Sequence, residues 1–502
     1  MRIPLDRQSN VPLYQQIEAF LREGIMSGSL VPDTRLPAIR QLARDLGINR
    51  ITVENAYAEL EADGLICSRV GSGTYVLPSY QLAPPQPNGE GEAWPLWQQE
   101  LAAQGRAHHE GLLSTEVLAG AGHPSTARAG AQGPELITFA TGVGDSRLFP
   151  VEDLRKIIQN VMRRDGVGAL VYGEPRGYGP LRATIAQVLA SQGVSARPDN
   201  ILITAGSQQA ISLVTQVLLK PNDAILVEVP TYGGALALFE AANLKIVGIP
   251  VDEAGMRVDE LEKLLQQHHP KLIYTIPNFH NPTGTCLTGQ RRSRLITLAD
   301  RYNVPILEDD FVGDFRYDGR AQPALKALDP GGRVIYVSTF SKMLMPGLRV
   351  GFLVADGPIY EELVYSKRFN DMTTSNLIQR SLESYVTVGR FEAHLRRSCQ
   401  VYRKRRDAML WAIRRYLPPG VQVNPPQGGL YIWARLPQGL STDQLLPFAW
   451  EQGVTFAPGR AFFPTAQADS SYMRLNFAAQ SPDDITEGIK RLGQAIAKLA
   501  AN

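Results

Sequence analysis

The sequence has little of several things, and each shortage excludes a class of protein. Only three cysteines, Cys67, Cys286 and Cys399, occur in 502 residues. They lie far apart and show no metal-ligand spacing, which excludes a disulfide scaffold and a cysteine metal centre. They read as reduced structural thiols of a cytoplasmic protein. No apolar run reaches the roughly 18 residues of a spanning helix, so no membrane partner is expected. The opening MRIPLDRQSN carries Asp6 where an export signal would be apolar. An excess of one charge is also lacking: 51 Lys+Arg stand against 49 Asp+Glu, a net +2. Bulk charge therefore points to no nucleic-acid or membrane surface, and any such site has to be found by position. With 44% hydrophobic and 20% charged residues, disorder throughout the chain is excluded. The length predicts about three packing units.

Three zones follow. Residues 1–77 are dense in helical periodicity and end in a glycine-rich hairpin. Residues 78–133, with Pro84-Pro85, Pro87 and AGAGHPSTARAGAQG, read as a linker, interrupted by a helical pattern over Trp94–Ala103. Residues 134–502 alternate β-branched runs with helical patterns, as an α/β domain does. Predicted strands include Ile201–Thr204, Ala224–Val229, Lys271–Ile276, Val304–Glu308 and Val334–Ser338.

In the first zone Leu13, Ile17, Leu21 and Ile25 share one helical face. A second helix follows Pro37, a residue suited to a first helical turn, and carries Ile39, Leu42, Ala43 and Leu46 before Gly47. Asn49 can cap a third helix with Val53, Ala56, Tyr57 and Leu60 on its inner face. Strands Leu65–Arg69 and Thr74–Leu77, joined by Val70-Gly71-Ser72-Gly73, complete a winged helix-turn-helix. The zone holds eight Arg and nine Asp+Glu, yet Arg35, Arg40, Arg44 and Arg50 gather around the second helix and the start of the third. Arg50 and Thr52 occupy the turn that enters the major groove, where a guanidinium can bond guanine O6 and N7. Arg35 and Arg40 suit phosphates. Gly71 and Gly73 let the wing backbone approach the minor groove. The run LPAIRQLARDLGINRITVENAYAELEADGLICSRVGSGTYV resembles the GntR-type winged helix. A double-stranded DNA operator is the expected partner.

In the third zone Ser338-Thr339-Phe340-Ser341-Lys342 is followed by Arg349. Glu308-Asp309-Asp310 puts carboxylates at a strand end. Asn281-Pro-Thr-Gly284 is a turn after another strand, Ala205-Gly206-Ser207-Gln208 lies between a strand and a helix, and Tyr232 follows a strand. Together these are the parts that hold pyridoxal phosphate: an amine for a Schiff base, an acid for the pyridinium nitrogen, an amide for the ring oxygen and a stacking aromatic. Hydroxyls, an arginine and backbone N–H groups at a helix start would take the phosphate.

The ordered set resembles the fold type I, class I aminotransferases over residues ~136–500. The resemblance implies that Lys342 carries the cofactor, Asp309 pairs its ring nitrogen, Asn281 its ring oxygen, and Tyr232 stacks. Ser207, Gln208, Thr339, Ser341 and Arg349 hold the phosphate. Tyr172 resembles a tyrosine that reaches a neighbouring subunit's phosphate, and Arg474 matches the arginine that binds a ligand's α-carboxylate. One departure stands out. The family pattern carries a tyrosine two or three residues after the aspartate; here Phe311 and Val312 stand there, and neither can donate a hydrogen bond. The expectation is a raised Schiff-base pKa, with Tyr317 too far along to substitute.

The expected fold is a multidomain α/β protein: an N-terminal winged helix-turn-helix plus a fold type I aminotransferase-like domain. Such a fusion resembles the MocR-like regulators. That implies a cytoplasmic, homodimeric transcription factor that binds pyridoxal 5'-phosphate and answers to a small amino compound or to the cofactor itself. The alternative is an active class I aminotransferase with an accessory DNA-binding domain; a third reading makes the large domain a purely dimerising one. No metal is expected.

Overall fold

The computed structural model of the protein describes residues 3–7, 9, 11–69, 72–77 and 135–501. The chain divides into two compact units, Met1–Ala102 and Ala103–Asn502. The helical pattern at Trp94–Ala103, the linker 78–133 and Gly71 lie outside the described residues.

In the first unit, helices Leu13–Met26, Ile39–Leu46 and Arg50–Ala62 precede a hairpin of Ile66–Arg69 and Gly73–Val76. The strands pair antiparallel with Arg69 opposite Gly73, so the hairpin is a residue tighter at its ends than the sequence suggests. The apolar spacing fills one core. Ile17, Leu21 and Ile25 meet Leu42, Val53, Ala56, Tyr57 and Leu60, all buried. Gly47 takes the left-handed φ of +62° that ends the second helix. Asn49 caps the third helix as expected, its side-chain oxygen accepting from the Ile51 N–H at 2.9 Å. Pro37 corrects the expectation. The second helix starts two residues after it, because Ala38 is extended (ψ 140°) and the Tyr57 hydroxyl donates to the Pro37 carbonyl at 2.8 Å.

The second unit is built on an eight-stranded sheet. Its spatial order is Ile201–Thr204, Gly351–Val354, Val334–Thr339, Ile306–Asp309, Leu272–Thr275, Ala224–Val229, Lys245–Asp252 and Gly255–Met256. The five strands from Val334–Thr339 to Lys245–Asp252 run parallel; Gly351–Val354 is antiparallel to both its neighbours. Most of these strands are buried at every position, which explains their unbroken apolar runs: helices cover both faces. A smaller antiparallel sheet follows toward the C-terminus, ordered Gln422–Val423, Tyr431–Arg435, Tyr472–Asn476 and Ala457–Pro458. Helices Arg390–Tyr416 and Pro482–Ala501 accompany it. Parallel strands all point one way, so the loops leaving their C-terminal ends gather at one edge.

Removing the cap tests the reader's local logic. Asn49→Ala should cost about 1 kcal/mol. Amide hydrogen exchange across Arg50–Ala62, read by mass spectrometry, should then quicken about fivefold.

Candidate cofactor site and DNA-reading face

Every residue expected to hold the cofactor, apart from Tyr172, sits at or just beyond the end of a large-sheet strand. The phosphate end comes first. Strand Ile201–Thr204 leads through Gly206, at φ +111°, into helix Ser207–Leu218, whose N-terminus has no side-chain cap. Its first N–H groups are thus open to an anion. Arg349 reaches this turn. Its Nη2 donates to the Ala205 carbonyl at 2.7 Å and its Nη1 to Ser341 Oγ at 3.5 Å. A Cβ on Gly206 would stand 3.0 Å from that guanidinium, so only glycine keeps the approach open. Ser341 and Arg349 therefore converge on the turn that leads into Ser207, as a dianion requires. Thr339 is buried and engaged within its own loop, accepting from the Ser341 N–H and donating to the Val350 carbonyl. The Gln208 side chain donates to the Gly234 carbonyl at 2.7 Å. Tyr232 immediately precedes helix Gly233–Ala241, with its ring against Gly234.

The ring end is built around Asp309. Its Oδ2 accepts from the Tyr274 hydroxyl at 2.9 Å. Its Oδ1 is buried and has no hydrogen-bond partner among the described residues. Burial pushes this carboxyl up to about 7, against the pull of the Tyr274 hydrogen bond and of Lys342. A buried carboxylate oxygen left bare is costly; a protonated ring nitrogen is the group that satisfies it. On this observation the residues fit pyridoxal phosphate. Asn281 follows strand Leu272–Thr275 in a loop anchored from beneath. The fully buried Arg292 donates to the carbonyls of Leu287, Pro323 and Pro277 and to Asn278 Oδ1, all at 2.8–2.9 Å. Glu228 accepts from the Ile276 N–H at 2.7 Å. Arg292 and Tyr274 are the positioning residues that sequence reasoning missed. Neither stands in a recognisable motif, and both act only once the strands are neighbours.

The ligand end joins the two sheets. Arg474, on strand Tyr472–Asn476, donates to Asn281 Oδ1 at 2.9 Å and to the Ala140 carbonyl at 3.0 Å. Its guanidinium lies 4.2 Å from the Tyr431 ring centroid and 4.7 Å from that of Phe462. Asn281 accepts through Oδ1, which leaves its amide N–H groups as the donors a ring oxygen needs. Lys342 lies in the short helix Phe340–Met343, below Gly142. Tyr317 points elsewhere, its hydroxyl donating to the Gly429 carbonyl. Tyr172 is not brought to this cradle within the single chain; it is 78% exposed, beside exposed Val167, Leu170 and Val171.

In the reader, Arg40, Arg44 and Arg50 are exposed at the second and third helices. Arg50 opens the third helix and pairs with Glu54 at 3.4 Å. Thr52 is half-buried, whereas Ile51, 61% exposed in the same turn, was not singled out from sequence. Arg35 lies along Gly73: a Cβ there would stand 2.8 Å from Arg35 Nε. Gly73, at φ +121°, thus makes room for an arginine as well as shaping the wing.

Residues 136–492 match the family described as aminotransferase class I and II, and residues 13–76 match the bacterial regulatory proteins of the gntR family. Over 502 residues the chain is 30% identical to the probable rhizopine catabolism regulatory protein MocR of Rhizobium meliloti, covering 99% of this chain and 96% of that one. This chain belongs to the MocR-type regulators. The MocR-type architecture extends to an uncharacterized HTH-type transcriptional regulator of Escherichia coli, YdcR, 32% identical with 96% and 98% covered. The large domain by itself is similar to aromatic-amino-acid aminotransferase 1 of Thermococcus litoralis, 39% identical over 72% of this chain and 88% of that one. Among solved structures it resembles kynurenine aminotransferase of Pyrococcus horikoshii in complex with PMP, at 38% identity and a TM-score of 0.70, covering 73% of this chain and 91% of that one. The fold expectations for both domains, the GntR and MocR-like resemblance and the cofactor class are thereby met.

The buried acids make stability depend on pH. Glu308 is also pushed up to about 7, by burial and by Asp310. Without cofactor, both Glu308 and Asp309 hold protons more tightly folded than unfolded, where carboxyls titrate near ~4. Their stabilising protonation is complete below ~4 and is lost as pH rises through about 7. The cofactor-free protein should melt lower at pH 8 than at pH 5.5. Asp309→Asn should lose less over that interval in the same thermal scans, and should retain pyridoxal phosphate poorly.

Proposed function

We propose that this chain is a pyridoxal-phosphate-dependent, DNA-binding transcriptional regulator whose aminotransferase-like domain senses an amino compound, or the cofactor itself, through a Schiff base at Lys342. The observation that carries the reading is the bare, buried Oδ1 of Asp309, in a chain that also holds a gntR reader. When bound, the cofactor supplies an electron sink and an exchangeable link to amines. This chain's residues do the rest. Asp309 keeps the ring nitrogen protonated, Tyr274 fixes the Asp309 carboxylate, and Arg349 with Ser207 and Ser341 holds the phosphate. Lys342 would hold the cofactor through its amine, and Arg474 would receive a ligand's carboxylate. A ligand acts on DNA binding only if two arrangements of the chain hold it differently.

Residues 1–77 serve as the reader, 78–133 as a linker and 134–502 as the sensor, in the cytoplasm. The exposed patch at Val167, Leu170, Val171 and Tyr172 supports a homodimer in which a second copy covers it and Tyr172 completes the neighbouring phosphate site. An active aminotransferase with an accessory reader is the second reading, favoured by the Arg474–Asn281 contact, which preserves a carboxylate anchor beside the ring site. The regulator reading stands first because relatives matched along their whole length carry regulator names.

Lys342→Ala should abolish the absorbance band of the Lys342 Schiff base while leaving the protein folded. In operator-binding assays with a panel of amino acids and amines, an effector should alter binding at concentrations where keto-acid production stays slow. Arg474→Ala should blunt a carboxylate effector without changing binding in its absence. Transamination at ~10 s⁻¹, with DNA binding indifferent to every amine and to the cofactor, would favour the second reading instead. Arg50→Ala should cost about 1–3 kcal/mol and relax preference at one base pair. Arg40→Ala should weaken all sequences alike and lower the salt slope by ~0.9.

A further inference from the structure

We infer that Tyr431 supplies a hydroxyl to the Lys342 linkage and tunes its protonation. The smaller sheet places it there. Tyr431 pairs with Asn476 on the adjacent strand. The Asn476 amide donates to the carbonyls of Thr141 and Val143 at 2.7 and 2.8 Å, pinning the Thr141–Val143 segment against this sheet. The Tyr431 hydroxyl donates to the Gly142 carbonyl in the middle of that segment, at 3.0 Å. Gly142 in turn roofs the lysine: a Cβ at this position would stand 3.7 Å from Lys342 Nζ and 3.7 Å from Tyr431 Oη. The amine and the phenol thus border the same glycine, whose missing side chain leaves the way between them open.

The ring is packed as well as hydrogen-bonded. The Arg474 guanidinium lies 4.2 Å from its centroid, and Phe311 stacks at 6.4 Å with 20° between planes. Phe311 has no hydroxyl to give; the ring facing it has one. The charged and titratable groups around this space are Asp309, whose charge acts on Lys342 and which Tyr274 holds, Arg474 over the Tyr431 ring, and Tyr431 itself. A phenol O–H turned from Gly142 toward the linkage donates to its unprotonated form, and so lowers the pH at which it titrates. On this inference a donor from the smaller sheet offsets, at the linkage, the hydroxyl that Phe311 and Val312 lack after Asp309.

The inference rests on cofactor attachment at Lys342, and one experiment separates the two. The visible band of the cofactor-loaded protein is titrated with pH for the parent, Tyr431→Phe and Tyr317→Phe. Tyr431→Phe keeps the ring beneath Arg474 and against Phe311. Its titration midpoint should rise by about one unit. Tyr317→Phe removes a neighbouring buried hydroxyl that bonds Gly429, and its midpoint should stay with the parent. A parent band whose midpoint is unmoved in Tyr431→Phe, or moved equally in both variants, overturns the role of Tyr431 alone. A parent without any visible band after loading overturns this inference and the attachment at Lys342 together.

Discussion

A carboxylate buried at the end of a parallel strand, with one oxygen held and the other bare, is the constraint on which the large domain turns. Asp309 alone would be an expense that folding has no reason to accept. The surrounding construction makes sense once a cationic ring nitrogen completes it. The strand register delivers Tyr274 to one oxygen. The neighbouring parallel strand Val334–Thr339 leads to the loop bearing Lys342. The antiparallel strand Gly351–Val354 begins two residues after Arg349, directly opposite Ile201–Thr204. That pairing brings the guanidinium onto the Gly206 turn. Sheet order thus sets the spacing between Asp309 and the Gly206 turn.

Much of this was legible in the sequence, for an identifiable reason. Residues that contact a cofactor sit in short loops after strands, and such loops keep their spacing whatever the rest of the chain does. Hence Lys342, Asp309, Asn281, Ser207 and Arg349 could be proposed from local patterns, and all five lie at the ends of large-sheet strands or in the loops beside them. The reader was legible through a different signal, helical periodicity with capping residues at the right offsets, of which Asn49 is the one the geometry bears out most directly. Residues that act across strands gave no such warning. Tyr274 reads as one more aromatic in an apolar run, Arg292 as a helix-surface charge, and Tyr431 as a β-former. Their roles arise from which strand lies beside which, and hydrophobic pattern carries little of that. Pro37 illustrates the local limit: its preference for a first helical turn yielded to the Tyr57 hydrogen bond on its carbonyl.

The site is assembled from two sheets with separate jobs. The large sheet carries the buried Asp309 at one end of the cradle and the exposed Arg349 at the other. The smaller sheet brings in Arg474 and Tyr431, both buried. Groups carried on separate sheets can shift relative to one another as their sheets do. It is also a geometry in which binding and turnover can part company, since proton transfer requires alignment across the junction and capture does not.

The contacts of Arg474 carry one last consequence. The guanidinium already has the Asn281 oxygen and the Ala140 carbonyl as partners, so a carboxylate arriving there would compete with both. The net gain is the difference between two sets of charge-assisted bonds, smaller than either set alone. A pocket working by exchange keeps its shape when empty and releases what it captures readily. Occupancy can then follow a rising and falling metabolite pool in both directions.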